Sequence, residues 1–409
     1  MIFLNNISDS IKSAHWKYFK SSDGFANLIK LSQDTTIPLA EKNYFLRLTD
    51  ESLLQKIIIG NPEQLREEIK YYQMVFLKQN PILKFHQTFL ACLSYSEDIY
   101  PKINRLAEKK EGVSTVLKNR KFYYNRFLYI INKLQDTSLE IGIEKDKLTI
   151  GNIRLMYNNL QNFFEDNLNG LYNRIKSVFN YDDFIKEKEE WYAYTLTQQL
   201  GVNVCPYCNR NYIHTSINDH GKTRAELDHF YPKSKYPFLS ISLYNLIPSC
   251  HVCNSNLKKA RDFYIEKHVH PYEDNYLNDF RFEIVYLDDS INNVVPDEEN
   301  FNIELIALSS EDDKIKLINN SNQTFQIAQL HNFHKDIAQE LLVRSIYYNK
   351  TKILELQKIL GVESGIDDEF LKRVIIGNYG DIGSFGKRPL AKYSYDILSK
   401  TDLKKNLDL

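Results

Sequence analysis

The sequence lacks a long apolar stretch, an excess of one charge sign, a fixed-period repeat and any low-complexity tract. No run within its 409 residues approaches the roughly eighteen apolar residues that a membrane-spanning helix requires. Its 52 basic and 53 acidic residues give a formal net charge of -1, which excludes a global electrostatic attraction to nucleic acid. Any contact with nucleic acid must therefore come from a local patch.

Cysteine is scarce as well, and the few cysteines are grouped. The first residues combine neither a basic region nor a sustained apolar region, so we expect no signal peptide and a cytoplasmic protein. In that compartment cysteines are thiols or metal ligands rather than disulfides. Four of the 5 cysteines form two Cys-x-x-Cys pairs, Cys205 with Cys208 and Cys250 with Cys253. The fifth, Cys92, lies in the apolar stretch FHQTFLACLSY, which predicts a small buried residue.

A composition of 43% hydrophobic and 26% charged residues is typical of a globular protein, and 409 residues favour two or three domains. In residues 1–200, apolar positions recur at steps of three and four, as in LLQKIII and REEIKYYQMVFL. This period predicts a helical domain. Since no chemical motif lies in it, we expect the domain to regulate the protein or to bind a partner or substrate. Asp50 and Asn61 are expected to cap helices, with Pro62 at a first helical position, and Gly201 is expected to end the last helix.

Two further regions follow. Residues 201–270 contain both cysteine pairs and form the second predicted domain. After about residue 270, the stretches FRFEIVYL, NFNIELIAL and KIKLINN alternate or run apolar, which predicts two to four short strands before helical periodicity returns. Residues 271–409 are therefore predicted to mix strands and helices. The predicted fold class is α+β, with a mostly helical N-terminal region, a central module held by zinc and a mixed β/α C-terminal region.

The two cysteine pairs predict a structural zinc site. A Cys-x-x-Cys places two sulfurs on one tight turn, and two such turns complete a tetrahedral site of Cys205, Cys208, Cys250 and Cys253. The pairs are separated by 41 residues, against about fifteen to twenty in a simple zinc ribbon, so we expect a functional insert between them. His251 lies inside the second turn and is an alternative ligand. A redox dithiol and unpaired buried cysteines are the other interpretations.

A second group of polar residues lies within the segment ELDHFYPKSKYPFLSISLYNLIPSCHVCNSNLKK, residues 226–259. The Asp228-His229 pair is followed by a proline, by Asn245 in the middle of the segment, and by Asn254 directly after a zinc-pair cysteine. This order, bracketed by the cysteine pairs, resembles the motif of the HNH (ββα-metal) nucleases over residues 205–259. Asn254 is a departure, since many members have histidine there. The HNH domain of RNA-guided CRISPR nucleases also has asparagine at that position.

The resemblance implies hydrolysis of phosphodiester bonds, and the residue types suit that chemistry. His229, with an ordinary pKa of about 6.5, suits a general base at neutral pH. Asp228 and Asn254 offer the hard oxygens that a catalytic Mg²⁺ or Mn²⁺ prefers. In the family the middle asparagine, here Asn245, braces the loop that carries the base; a simple turn cap is the alternative. Glu226 shares a strand face with Asp228 and is either an auxiliary ligand or a solvated carboxylate.

Basic residues supply the local patch that the whole-chain charge conceals. Between residues 205 and 270 the sequence has 9 lysines and arginines against 5 acidic residues. Lys258, Lys259 and Arg261 follow the motif on the expected helix, where they are predicted to contact phosphates of the nucleic acid.

The sequence therefore predicts a metal-dependent HNH endonuclease that acts on DNA, with RNA as the alternative substrate. A zinc-stabilised module that binds nucleic acid without catalysis is a second hypothesis. A third is an interaction subunit that docks onto an ATPase or sensor. The motif is similar to HNH effectors of bacterial anti-phage systems, including those paired with ATPases in Septu-type operons, and this implies a role in antiviral defence. No membrane partner is expected.

Overall fold

The computed structural model describes residues 2–4, 7–94, 113–144, 147–186, 190–273, 278–287, 295–360 and 367–407. None of the helices within these ranges combines the length and the apolar character that crossing a lipid bilayer demands.

Among the described residues up to residue 200, the regular structure is helical, as the spacing of apolar residues predicts. The first group of helices is Asp9–Ser21, Asp23–Gln33, Leu39–Leu48, Glu51–Ile58, Pro62–Tyr71, a π-helical turn at Tyr72–Phe76, Leu77–Gln79 and Pro81–Ser94. The second group is Val113–Leu134, a 3-10 turn at Thr137–Glu140, Ile150–Val178, Tyr181–Phe184 and Ala193–Leu200.

The predicted helix boundaries are confirmed by their caps. The Asp50 carboxylate accepts the N–H of Leu53 at 2.8 Å. The Asn61 side chain accepts the N–H of Gln64 at 2.9 Å, and the Gln64 side chain accepts the N–H of Asn61 at 3.0 Å. This reciprocal pair satisfies two N–H groups that the first helical turn leaves unpaired. Gly201 ends the helix Ala193–Leu200 with a φ of 61°, which glycine adopts without steric cost.

The strands occur as three separate antiparallel pairs within the described residues. They are β1 (Ser216–Asn218) with β2 (Gly221–Thr223), β3 (Glu226–His229) with β4 (Leu246–Ser249), and β5 (Phe280–Tyr286) with β6 (Phe301–Ala307). Many helices with a few small sheets constitute the predicted α+β class.

The prediction of a strand for KIKLINN is wrong, because this stretch lies inside the helix Asp312–Phe325. Two acidic residues begin that helix, and its buried residues Ile318, Ser321 and Phe325 follow steps of three and four. The helical period of three to four residues, which extends over the whole helix, outweighs the alternation of apolar residues within KIKLINN that suggests a strand. The remaining C-terminal helices are Ile327–His331, Lys335–Tyr347, Lys350–Leu360, Asp368–Ile376, Ala391–Leu398 and Asp402–Asn406, with 3-10 turns at Glu298–Asn300, Asn332–His334 and Ile382–Ser384.

Contacts along the chain define two compact units. The helical unit is Lys17–Tyr181 with Pro232–Ser242, and the cysteine unit is Met1–Trp16, Asp182–Tyr231 and Leu243–Leu409. The cysteine pairs and the motif residues from Glu226 to His229 and from Asn245 to Arg261 all belong to the cysteine unit. The boundaries at residues 200 and 270 mark changes in sequence character, and the three-domain division stays a prediction.

Candidate functional site

The four cysteines of the two pairs come together in the cysteine unit. Cys205, Cys208, Cys250 and Cys253 are buried, and their sulfur atoms all lie within 4.8 Å of one another. A tetrahedral zinc with Zn–S bonds of about 2.3 Å needs sulfur atoms about 3.8 Å apart, so modest side-chain adjustment suffices. The group that the spacing predicts is therefore able to bind a zinc ion.

Two of the four sulfur atoms accept hydrogen bonds from groups outside the cluster. The Asn211 side-chain amide donates to the Cys250 Sγ at 3.3 Å, and the backbone N–H of Arg210 donates to the Cys208 Sγ at 3.4 Å. Hydrogen bonds from the other three cysteines lower the pKa of Cys250 far below its ordinary value, whereas burial raises the pKa of Cys205. Such donors orient metal ligands and stabilise their negative charge.

The first cysteine turn is also fixed by hydrogen bonds to residues 385–392. Asn209, which directly follows Cys208, is fully buried with a φ of 50°. Its side-chain amide donates to the Phe385 carbonyl at 2.9 Å, and its side-chain oxygen accepts the N–H of Lys392 at 3.1 Å. Its own carbonyl accepts the N–H of Leu390. These bonds offset the cost of a left-handed conformation at a residue other than glycine.

Two strands and a helix carry the motif residues. β3 and β4 pair with Glu226 opposite Ser249 and His229 opposite Leu246. The chain then forms the helix Val252–Lys258, which has π-helical hydrogen bonding and therefore a wider turn than an α-helix. Since alternate strand residues share a face, the side chains at 226 and 228 both point towards this helix.

Glu226 is the carboxylate that lies next to Asn254. One oxygen lies 2.6 Å from His251 Nδ1, and the other accepts hydrogen bonds from Asn254 at 2.8 Å and Ser255 at 3.0 Å. Burial alone raises the pKa of Glu226, but these hydrogen bonds outweigh it and lower the pKa below its ordinary value. His251 is thus a partner of Glu226 and lies outside the group of sulfur ligands.

Asp228 occupies a different environment, in the interior. Its two oxygens accept hydrogen bonds from the Tyr207 hydroxyl at 2.6 Å and from the Lys258 ammonium at 2.9 Å. Asp228 and Lys258 expose only 2% and 1% of their side chains. Burial raises the pKa of Tyr207 well above its ordinary value, so the hydroxyl keeps its proton and donates. The two predicted ligands therefore have different partners: Asp228 contacts Tyr207 and Lys258, whereas Asn254 contacts Glu226.

Breaking the buried ion pair from one side is expected to destabilise the protein. Lys258→Met leaves the Asp228 charge in the interior with the Tyr207 hydroxyl alone, which we expect to lower the free energy of unfolding by about 3–5 kcal/mol. In urea titrations the double variant Asp228→Asn with Lys258→Met should recover most of this loss, because no unpaired charge stays buried. Equal losses in the single and double variants would contradict the pairing.

His229 and Asn245 are linked through the backbone of the loop after β3. His229 is the last residue of β3, and its side chain is half-buried. The fully buried Asn245 accepts the N–H of Tyr231 at 2.7 Å and donates to the Tyr231 carbonyl at 3.1 Å. Its own carbonyl accepts the N–H of Phe230 at 2.9 Å. Three hydrogen bonds thus fix the two residues that directly follow His229.

Removing the Asn245 amide should cost stability because its partners are buried. Asn245→Ala leaves the N–H and carbonyl of Tyr231 without these partners, and we expect the free energy of unfolding to fall by about 2–4 kcal/mol. The matched control is Asn256→Ala, at an exposed position of the motif helix, which should stay within about 0.5 kcal/mol of the wild type. Urea denaturation measures both. Similar values for the two variants would overturn the role assigned to Asn245.

The three predicted phosphate contacts occupy unlike positions. Lys258 is buried, and its ammonium also donates to the His229 carbonyl at 2.7 Å, so it faces the interior. Lys259 is exposed and follows the helix with a φ of 53°. Arg261 is half-buried and contacts Thr324 at 3.3 Å and Glu266 at 3.9 Å. Lys259 is the most accessible of the three to a ligand in solution.

Comparison with known proteins shows a distant similarity to a phage protein. The chain is 27% identical over 190 residues to the protein Ea31 of Escherichia phage lambda, a match that covers 44% of this chain and 54% of Ea31. The chain thus spans about half the length of the curated relative it matches. No family model matches the sequence, and no solved structure matches it.

Proposed function

We propose that this protein is a metal-dependent endonuclease of the HNH type that hydrolyses phosphodiester bonds of DNA. The observation that carries the proposal is the clamp of Asn245 on Tyr231, two residues beyond His229. A buried amide that fixes the loop after a half-exposed histidine is the arrangement that the resemblance implies for the base and its brace. The order of strand, strand and helix, with Asn254 on the helix, supports the same assignment.

His229 is the proposed general base. His229 is the last residue of β3, and the strand pairing fixes its backbone. Lys258 donates to the His229 carbonyl, and Asn245 holds the backbone of Tyr231 two residues further on. A restrained imidazole is able to take a proton from water at neutral pH. Fixed geometry contributes to the rate because little reorganisation is needed when the water attacks.

A catalytic cation has suitable donors here, although they differ from the predicted pair. Glu226 and Asn254 are in contact and partly exposed, and oxygen donors of this kind suit Mg²⁺ or Mn²⁺. Asp228 becomes available only if Lys258 releases it. Bound there, the cation would supply positive charge to a phosphate oxygen and to the leaving 3′ oxygen. If Asp228 is a ligand, Mn²⁺ should raise the unfolding temperature of Lys258→Met more than that of the wild type.

A second function has its own support. The Lys258 ammonium already neutralises Asp228, so a side chain of the protein takes the place of a metal cation at that carboxylate. This arrangement favours a zinc-stabilised module that binds nucleic acid without cleaving it. DNA is the proposed ligand under both functions, with RNA as the alternative. An ATPase or sensor partner and a role in antiviral defence follow only from the resemblance, and both belong to the proposal.

A cleavage assay separates the two functions. The purified protein is incubated with supercoiled plasmid and Mg²⁺ or Mn²⁺, and a parallel sample receives EDTA; zinc content is measured in both, so that loss of zinc is not mistaken for loss of the catalytic cation. Cation-dependent nicking or linearisation supports the nuclease. Retarded migration of intact plasmid with either cation would favour the binding module instead.

A further inference from the structure

The cysteine unit contains a second candidate site, in the region where the sequence shows no motif. A cavity of about 610 Å³ lies between the helix Asp368–Ile376, the loop that follows it and the helix Ala391–Leu398. This volume is within the range of about 300–1,000 Å³ that small-molecule sites occupy. Tyr379 and Tyr395 both line the cavity, and each also packs against the buried core residues Ile2, Phe385 and Ala391.

Three cationic groups converge on the ring of Tyr379. The Arg373 guanidinium carbon lies 5.1 Å from the ring centroid, the Lys387 ammonium 5.2 Å and the Arg388 guanidinium carbon 5.7 Å. Arg373 also donates to the Tyr379 hydroxyl at 3.2 Å, so the ring is held in place. A cation near a tyrosine face gains only about 0.5–1 kcal/mol at an exposed site. This gain offsets only part of the electrostatic repulsion among the three positive charges.

The second tyrosine, Tyr395, also has a cation next to its ring. The Lys404 ammonium lies 4.1 Å from the ring centroid of Tyr395. Among the described residues, no carboxylate oxygen forms an ion pair with any of the four cations at the two rings. Neighbouring lysines do have such partners, since Lys372 pairs with Asp368 at 3.1 Å and Lys405 with Asp402 at 3.6 Å. Two of these cations, Arg373 and Lys387, line the cavity and are therefore in position for an anion from outside the chain.

The cavity also offers groups that a simple phosphate does not need. Besides the two aromatic faces, its lining includes the carboxylates of Glu369 and Asp381 and the buried Ser384. Carboxylates accept hydrogen bonds from hydroxyl and amino groups, and tyrosine faces stack on planar bases. Cations, aromatic faces and acceptors in one cavity match a ligand that combines phosphate, sugar and base.

We propose that the cavity between Tyr379 and Tyr395 binds a nucleotide, with its phosphates at Arg373 and Lys387 and its base against a tyrosine ring. The nucleotide is either free in solution or part of a single nucleic-acid strand. The proposal concerns a site apart from the HNH motif, and no cleavage step enters it. Failure of the nucleotide to bind would leave the proposed nuclease function unaffected.

Calorimetric titration of the full chain tests the site with four probes: ATP, adenosine, tripolyphosphate and a twelve-nucleotide single-stranded DNA. The exposed Lys387, which lines the cavity, is changed to Glu, and Lys405→Glu, outside the cavity lining, is the matched control. Lys387→Glu should weaken binding at least about tenfold, as expected for the loss of a charge-assisted hydrogen bond. Lys405→Glu should bind as the wild type does, because Lys405 has its own partner.

The outcomes separate the two sources of the nucleotide. Saturable ATP binding that is tighter than that of adenosine and tripolyphosphate, and that Lys387→Glu weakens, identifies a free nucleotide. Binding of the oligonucleotide alone, with the same response to the variants, identifies a strand. The proposal is overturned if neither ATP nor the oligonucleotide binds saturably, if tripolyphosphate binds as tightly as ATP, or if Lys405→Glu weakens binding as much as Lys387→Glu does.

Discussion

Cys208→Ser is expected to abolish zinc binding and to unfold the part of the cysteine unit around residues 205–259. The four sulfur atoms lie within 4.8 Å of one another and are buried, so a zinc ion would link two turns that are distant in sequence. Serine cannot replace a thiolate as a zinc ligand at neutral pH, and structural zinc binding in small domains is worth about 10–16 kcal/mol. We therefore expect this to be the largest stability loss of any single substitution.

The measurements are the zinc content of the purified protein and its resistance to proteolysis. The wild type should contain about one zinc per chain, and Cys208→Ser should contain almost none and be cleaved within residues 205–259. Cys92→Ser is the matched control, because Cys92 is also buried but belongs to the helical unit. It should keep its zinc. A wild type without zinc, or a Cys208→Ser variant that retains it, would contradict the structural site.

Loss of zinc should also disable the proposed catalytic residues. Asn254 directly follows Cys253, and β4 ends at Ser249, directly before Cys250. The zinc would thus hold both the strand opposite His229 and the start of the helix that carries Asn254. Cleavage should accordingly fall in parallel with zinc content.

Features that rest on local patterns are predictable from the sequence. The caps at Asp50 and Asn61, the helix end at Gly201 and the grouping of the four cysteines each follow from a few neighbouring residues. The clamp at Asn245 lies where the resemblance implies it. In these cases the chemistry of the short motif decides the geometry, and distant residues have little influence.

Long-range partners explain what the sequence did not predict. Lys258 turns inward because its ammonium pairs with Asp228, which is buried beside Tyr207. The bonds from Asn209 to residues near 385–392 join parts of the chain that share no pattern. The stretch KIKLINN suggests a strand because seven residues are too few to separate the strand period from the helical period. The cavity at Tyr379 depends on residues from three elements, none of which is distinctive alone.

His229→Ala is expected to reduce DNA cleavage by about 10²–10⁴-fold, the usual contribution of a general base. The half-buried side chain of His229 lies at the end of β3, and β3 pairs with β4 through its backbone. Alanine preserves that pairing, so folding and zinc content should stay close to those of the wild type. His220→Ala, in the exposed turn between β1 and β2, is the matched control and should cleave at the wild-type rate.

The most direct measurement is the rate of plasmid cleavage by wild type, His229→Ala and His220→Ala at equal zinc content, in Mg²⁺ and in Mn²⁺. The account predicts cation-dependent cleavage by the wild type and by His220→Ala, and a rate at least about a hundredfold lower for His229→Ala. Cleavage by His229→Ala at the wild-type rate would contradict the assignment of His229 as the base. Intact plasmid with all three proteins, each fully loaded with zinc, would contradict the nuclease itself.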